Sequence, residues 1–313
     1  MKKLLIKNLP LLFFAFILVS FVEDRIMNSH LDIIEESTDS TSVIADGATL
    51  QLISNRFSFT EGPAPDKHGN VFFTDQPNDR IWRYGTDGQL SIFLEKTGRS
   101  NGLYFDKKGN LLACADERNE LWSISPNKEV TVLVKDFDGE KLNGPNDLWV
   151  DKKGGIYFTD PYYQRPYWTR TKAGILEQRV YYLPKKGRLR IAAENFKQPN
   201  GIIGTPDGKF LYVADIGDNK TYRFRIQAGG KLTDQQLFAP QGSDGMTIDN
   251  KGNIYLTGDG VAVYSREGKR IQHIAVPAKW TANVCFGGIE KNKLFITASE
   301  NLYVLNMKVK GVQ

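Results

Sequence analysis

Residues 146–160 read Asn146-Asp-Leu-Trp-Val-Asp-Lys-Lys-Gly-Gly-Ile-Tyr-Phe-Thr-Asp160, two apolar runs joined by a polar turn and closed by an acid. An Asp-x-x-Gly sequence between apolar runs predicts a hairpin turn, with Gly supplying the positive φ that other residues resist. The β-branched and aromatic residues on either side suit short strands and leave no room for a long helix. Outward in both directions the unit recurs. Upstream stand Glu61-Gly-Pro-Ala-Pro-Asp-Lys-His-Gly-Asn-Val-Phe-Phe-Thr-Asp75 and Asn101-Gly-Leu-Tyr-Phe-Asp-Lys-Lys-Gly-Asn-Leu-Leu-Ala-Cys-Ala-Asp116. Downstream stand Asn200-Gly through Ala-Asp215, Asp244-Gly through Gly-Asp259, and a degenerate copy from Asn283 that runs into Lys293-Leu-Phe-Ile-Thr-Ala-Ser299.

Successive units start 40, 45, 54, 44 and 39 residues apart, inside the range of repeat architectures. Four strands per unit and radial closure of six units predict an all-β, six-bladed β-propeller. The last unit has only three strands before the sequence ends, which would leave an exposed edge. Thr49-Leu-Gln-Leu-Ile-Ser54 alternates correctly to be the missing strand, so the N-terminal strand is expected to pair with the last blade and close the ring.

The chain of 313 residues is 41% hydrophobic and has ordinary Gly and Pro content, the profile of a folded protein with a real core. Its net charge is +5; with Lys2, Lys3 and Lys7 set aside the remainder is +2, too weak to argue for nucleic-acid binding. Those lysines precede an apolar run, Leu11 to Val22, that reads as a signal peptide over residues 1–22. The run is short for a membrane span, but no Ala-x-Ala cleavage site follows it, so an uncleaved anchor is the alternative. The chain is expected to be exported, periplasmic or secreted, with no stable membrane insertion once the signal is removed. Residues 23–48 are polar and aperiodic, an expected tether to a catalytic domain over 49–313. Cys114 and Cys285 lie in apolar strand-like segments and are expected to be buried free thiols.

In a propeller the innermost strand of each blade starts at one face of the central channel, so the residues opening the units should converge there. They are Glu61, Asn101, Asn146, Asn200, Asp244 and Asn283. Two carboxylates and four amides make a hard-oxygen cage whose charge would balance one divalent cation. The competing reading is that Asn and Asp only satisfy turn geometry; Glu61, a poor turn former, fits that reading least. The acids closing the second strands recur so regularly that they are expected to cap turns. The three His are scattered, which argues against a zinc site built from imidazoles.

Glu61-Gly-Pro, Asn143-Gly-Pro-Asn-Asp147, Phe158-Thr-Asp-Pro161, Pro199-Asn-Gly201, Ser243-Asp-Gly245 and Phe286-Gly-Gly288 resemble, in order, the signatures of the senescence marker protein (regucalcin), gluconolactonase and luciferin-regenerating enzyme superfamily, the bacterial gluconolactonase branch above all. The resemblance spans about residues 50 to 307. It implies a divalent metal, Ca2+ first and Mg2+, Mn2+ or Zn2+ as alternatives, held by Glu61, Asn200 and Asp244, with Asn146 as a fourth ligand or a substrate contact. The sugar-acid lactonases of the regucalcin type carry an arginine two residues before that asparagine; Gly144 stands here instead, so substrate choice does not carry over.

The implied reaction is hydrolysis of a lactone or related ester. The metal would act as a Lewis acid on the carbonyl and acidify a water, Asp244 would be the general base, and Asn101 would hold substrate or support the ligands. A phosphotriesterase, or a non-catalytic binding propeller with a structural metal, would keep the same ring residues. The longest inter-strand connection, from Pro161 to about Gln178, follows the second strand of the third unit. It is expected to wall the substrate pocket, with Tyr162 and Tyr163 nearest the metal.

Overall fold

The computed structural model describes residues 42–313, and these form six four-stranded antiparallel sheets. Strand β1 (Gln51–Ser54) precedes the first blade, β2 (Thr60–Pro65), β3 (Val71–Asp75), β4 (Arg80–Tyr84) and β5 (Leu90–Glu95). The second blade is β6 (Ser100–Phe105), β7 (Leu111–Ala115), β8 (Glu120–Ile124) and β9 (Val130–Val134). The third is β10 (Leu148–Val150), β11 (Ile156–Asp160), β12 (Gln178–Leu183) and β13 (Arg190–Phe196). The fourth is β14 (Pro199–Gly204), β15 (Phe210–Asp215), β16 (Lys220–Ile226) and β17 (Leu232–Ala239). The fifth is β18 (Met246–Ile248), β19 (Ile254–Gly258), β20 (Gly260–Tyr264) and β21 (Arg270–Ile274), and the sixth ends in β22 (Thr281–Gly287), β23 (Lys293–Ala298) and β24 (Asn301–Asn306). The six-bladed propeller expected from the repeat is therefore formed.

Ring closure also follows the expectation. β1 pairs antiparallel with β24, Gln51 opposite Val304 and Leu52 opposite Tyr303, so the first strand completes the last sheet and removes its open edge. The packed chain begins earlier than Thr49, however. Val43 is buried, Ile44 bridges Met307, and Lys308 donates its backbone N–H to the Val43 carbonyl. An isolated apolar pair in a polar stretch was enough to seat these residues on the last blade; the rest of the expected tether and the signal lie outside the described residues.

The core is built between blades. Trp149, Tyr157, Ile202, Leu211, Tyr212, Met246 and Leu256 are all buried in one cluster that joins the third, fourth and fifth blades. Each such side chain contributes about 1.5–3 kcal/mol by leaving water. Cys114 and Cys285 are both buried and free.

Two polar devices tie the blades at the face where the inner strands start. The Thr before a closing acid reaches the next blade: Thr74 donates to the Asn101 carbonyl at 3.1 Å, and Thr159 to the Asn200 carbonyl at 2.8 Å. The closing acids cap backbone as expected in three blades. Asp75 accepts from the N–H groups of Ser58 and Phe59, Asp160 from Asn143 and Gly144, and Asp215 from Lys197 and Gln198. Asp116 and Asp259 are the exceptions: Asp259 is exposed and its carboxylate accepts no backbone N–H among the described residues, and the Asp116 carboxylate turns to the site described next.

Candidate functional site

Every inner strand breaks its ladder at the residue that opens the unit. Registers shift between Glu61 and Ala64, Ser100 and Leu103, Pro199 and Ile202, and Thr281 and Asn283; β10 and β18 begin only after Asn146 and Asp244. A broken ladder re-aims the side chain, here toward the channel. The residue that follows explains the recurring Gly. A Cβ on Gly62 would stand 2.2 Å from the Asn101 carbonyl oxygen, and one on Gly201 2.7 Å from that of Asp244. Each glycine thus lets one blade's ring residue lie against the backbone of the next.

The structure brings most of the expected residues into one group, buried at Glu61, Asn200 and Asn283 and half-buried at Tyr163 and Asp244. Asn200 donates from Nδ2 to Asp244 Oδ1 at 2.8 Å and to the Tyr163 hydroxyl at 2.9 Å. Asn283 donates from Nδ2 to Glu61 Oε2 at 3.2 Å, and the Gly62 N–H donates to the same oxygen at 2.8 Å. Asn101 and Asn146 are buried on their own blades. The Oδ1 atoms of Asn101 and Asn200 are buried without a hydrogen-bond partner, which is costly unless a ligand completes them.

Electrostatics point the same way. Burial, and then the charge of Asp244, raise the Glu61 carboxyl well above its ordinary range. Burial pushes Asp244 up to about 6, with hydrogen bonds from Trp280 and Asn200 opposing the rise. The Arg165 guanidinium offsets part of the rise at Asp244 and none of the rise at Glu61. Two carboxylates with partnerless amide oxygens are the donor set a hard divalent ion prefers, so the residues present fit the implied metal.

Asp147 and Trp280 escaped the sequence reading, and the partner of Arg165 did too. Asp147 is buried beside the ring, where burial pushes it to about 7, and the charge of Asp244 adds to the rise. Its signal was available, because it occupies the place after a ring residue where four other units carry Gly. Trp280 donates its indole N–H to Asp244 Oδ2 at 2.5 Å; it lies between blades, where the repeat carries no information. Arg165 reaches back from the long third-blade connection to Asp116 Oδ2 at 3.1 Å.

That connection packs over the mouth. Besides Arg165, the Tyr167 hydroxyl bonds the Asp116 carboxylate, Arg99 lies over the Tyr167 ring, and Arg170 bonds the carbonyls of Leu142 and Asn143. The expected pair of tyrosines divides. Tyr163 points its hydroxyl to Asn200, whereas Tyr162 turns to Gln164 and lies under Arg170, so only Tyr163 meets the ring. The two hydroxyls are engaged on different elements, Tyr163 on the fourth blade and Tyr162 within its own loop. Gly144, at φ 151°, is pressed by the same loop: an added Cβ would stand 2.8 Å from Asp116 Oδ1 and 2.9 Å from the Trp168 ring. No long side chain fits at that position while the loop is in place.

Residues 59–300 match the SMP-30/Gluconolactonase/LRE-like region model. A gluconolactonase of Zymomonas mobilis is 28% identical over 296 residues, covering 84% of this chain and 82% of that protein. The solved structure of a gluconolactonase from Xanthomonas campestris superimposes with a TM-score of 0.80 at 28% identity, over 85% of this chain and 91% of the other. A second solved structure, described as a putative gluconolactonase, gives 0.81 at 30% identity over 87% and 96%. With the propeller, the ring of acids and amides, and a family match that spans every blade, the chain belongs to the SMP-30/gluconolactonase/LRE-like family.

Proposed function

We propose that this gluconolactonase-like hydrolase opens a sugar-acid lactone with the help of one divalent cation, Ca2+ before Mg2+, Mn2+ or Zn2+. Glu61, Asn200 and Asp244 would hold the ion, with Asn146 as a fourth ligand or a substrate contact. The observation that carries the reading is the convergence of the buried Glu61 and half-buried Asp244 carboxylates, both raised by desolvation, with amide oxygens that lack partners. The named gluconolactonases among the relatives support a lactone as substrate. When bound, the ion supplies Lewis acidity to the carbonyl and lowers the pKa of a water.

The chain's own residues supply the rest. Both oxygens of Asp244 are fixed, by Asn200 and by Trp280, so the carboxylate meets an attacking water in one orientation and takes its proton. Asn283 and the Gly62 N–H fix Glu61. Asn101 and Tyr163 stand where they can bond the lactone ring, and the third-blade connection limits access. The apolar run Leu11–Val22 supports export to the periplasm or medium.

The test is hydrolysis of aldonolactones, aromatic lactones and phosphotriesters by the full chain, with and without each cation. Cation-dependent opening of an aldonolactone, lost in Asp244→Asn, is the expected result. Faster turnover of phosphotriesters would move the protein to the second class of hydrolase. Cation binding with no turnover of any ester would make it a ligand-binding propeller.

A further inference from the structure

The two faces of the propeller carry different charge. Antiparallel strand order sends every Asp-x-x-Gly turn, and every turn between third and fourth strands, to the face opposite the mouth. On that turn face Lys and Arg outnumber Asp and Glu by about two to one, while at the mouth the acids are in excess. The turn-face acids are also engaged: Asp106 accepts from the N–H groups of Lys108 and Asn110, and Asp151 from those of Lys153 and Gly155.

The lysines are not. Lys67, Lys107, Lys108, Lys152, Lys153 and Lys251 stand exposed at the turn tips, and none forms an ion pair among the described residues. Lys107 reaches across to the Lys152 carbonyl at 2.7 Å, so neighbouring blades place their cations side by side. Grooves of about 280 and 540 Å³ run between these turns, with Lys107 lining both.

The polypeptide enters the propeller at this same face. Ala45 donates its N–H to the Asn306 carbonyl at the end of β24, and Lys308 pairs with Asp46. About twenty residues upstream in the sequence lies the apolar run ending at Val22. We propose that the lysine face docks the propeller on a membrane surface rich in anionic phospholipid, with the catalytic mouth turned to solvent. Basic residues close to such a surface each add attraction that fades within a Debye length. In the alternative in which the apolar run is kept as an uncleaved anchor, a tether of about twenty residues that joins the propeller at this face would raise the concentration of this face at the surface above that of the mouth. The two signals reinforce each other because they act from one side of the molecule.

The proposal is tested with the full chain and two sets of vesicles, phosphatidylcholine alone and phosphatidylcholine with phosphatidylglycerol. The quantity read is the gain in binding due to the anionic lipid, which leaves aside any insertion common to both. Wild type is expected to show a gain that collapses between 0.05 and 0.5 M salt, a range chosen to span the screening of surface charge. The triple variant Lys107→Glu, Lys108→Glu, Lys152→Glu should lose the gain on the order of tenfold or more while hydrolysing lactone in solution as wild type does. A milder Lys→Gln set covers any folding defect of the Glu set. The mouth-side set Lys96→Glu, Lys135→Glu, Lys141→Glu should keep the gain. An equal gain in wild type and the turn-face variants, or an equal loss in the mouth-side set, overturns the proposal. So does tight binding of heparin or duplex DNA with no gain from anionic lipid, which would give the face to a soluble polyanion.

Discussion

Acids recur at both ends of each blade, and the two ends treat them in opposite ways. At the turn face, Asp106 and Asp249 are satisfied by their own hairpins: each accepts backbone N–H groups two and four residues on and an Asn side chain besides. At the mouth, Glu61, Asp147 and Asp244 lie near one another; desolvation raises all three carboxyls, and the charge of Asp244 adds to the rise at Glu61 and Asp147. A carboxylate satisfied within four residues contributes to one turn. Carboxylates brought together from different blades are raised instead, and that is the cost the proposed cation would relieve.

The sharpest way to break this contrast is at Asp244. Asp244→Asn should lower lactone kcat by about 10²–10⁴ while the propeller stays folded by circular dichroism. Glu61→Gln should follow, weakening divalent-cation affinity about a hundredfold through the lost cage charge; calorimetry giving the wild-type affinity would remove Glu61 from the ligand set. Cation removal comes next. Saturating cation should raise the melting temperature by on the order of 5 °C over the chelated protein, and Glu61→Gln should show little of this rise.

Replacing residues 164–176 by a short Gly-Ser turn should change KM or substrate preference several-fold and leave cation affinity within about twofold, because Arg165 and Tyr167 bond Asp116 and Arg170 the Leu142 and Asn143 carbonyls, while Tyr163, which bonds the ring residue Asn200, stays in place. Unaltered kinetics across the substrate panel would reduce the loop to a cover. The smallest effect is expected at the other face. Asp106→Ala removes a locally satisfied carboxylate, so chemical denaturation should show a loss of about 1 kcal/mol with kcat unchanged.

Asp160 and Asp116 show how far a repeat can be read. Both close a second strand, and the repeat predicts the same capping role for each. Asp160 fills it, but Asp116 is claimed by Arg165 and Tyr167 from a different blade. The same limit explains Tyr162, which sequence neighbourhood placed beside the metal and whose hydroxyl bonds Gln164 of its own loop instead.

Blade number, ring closure and the positions of Glu61, Asn200 and Asp244 were legible because each depends on a hairpin a few residues long, repeated with the same turn chemistry. The contacts of Val43, Trp280 and Arg165 were not, since their partners lie on other elements and no local pattern records them. The charge of the two faces is the clearest case. The +2 that remains once Lys2, Lys3 and Lys7 are set aside gave no argument for nucleic-acid binding. The antiparallel order of the strands then sent the lysine-bearing turns to one side and left the acids in excess on the other, and only that sorting produces a basic face from a nearly balanced chain.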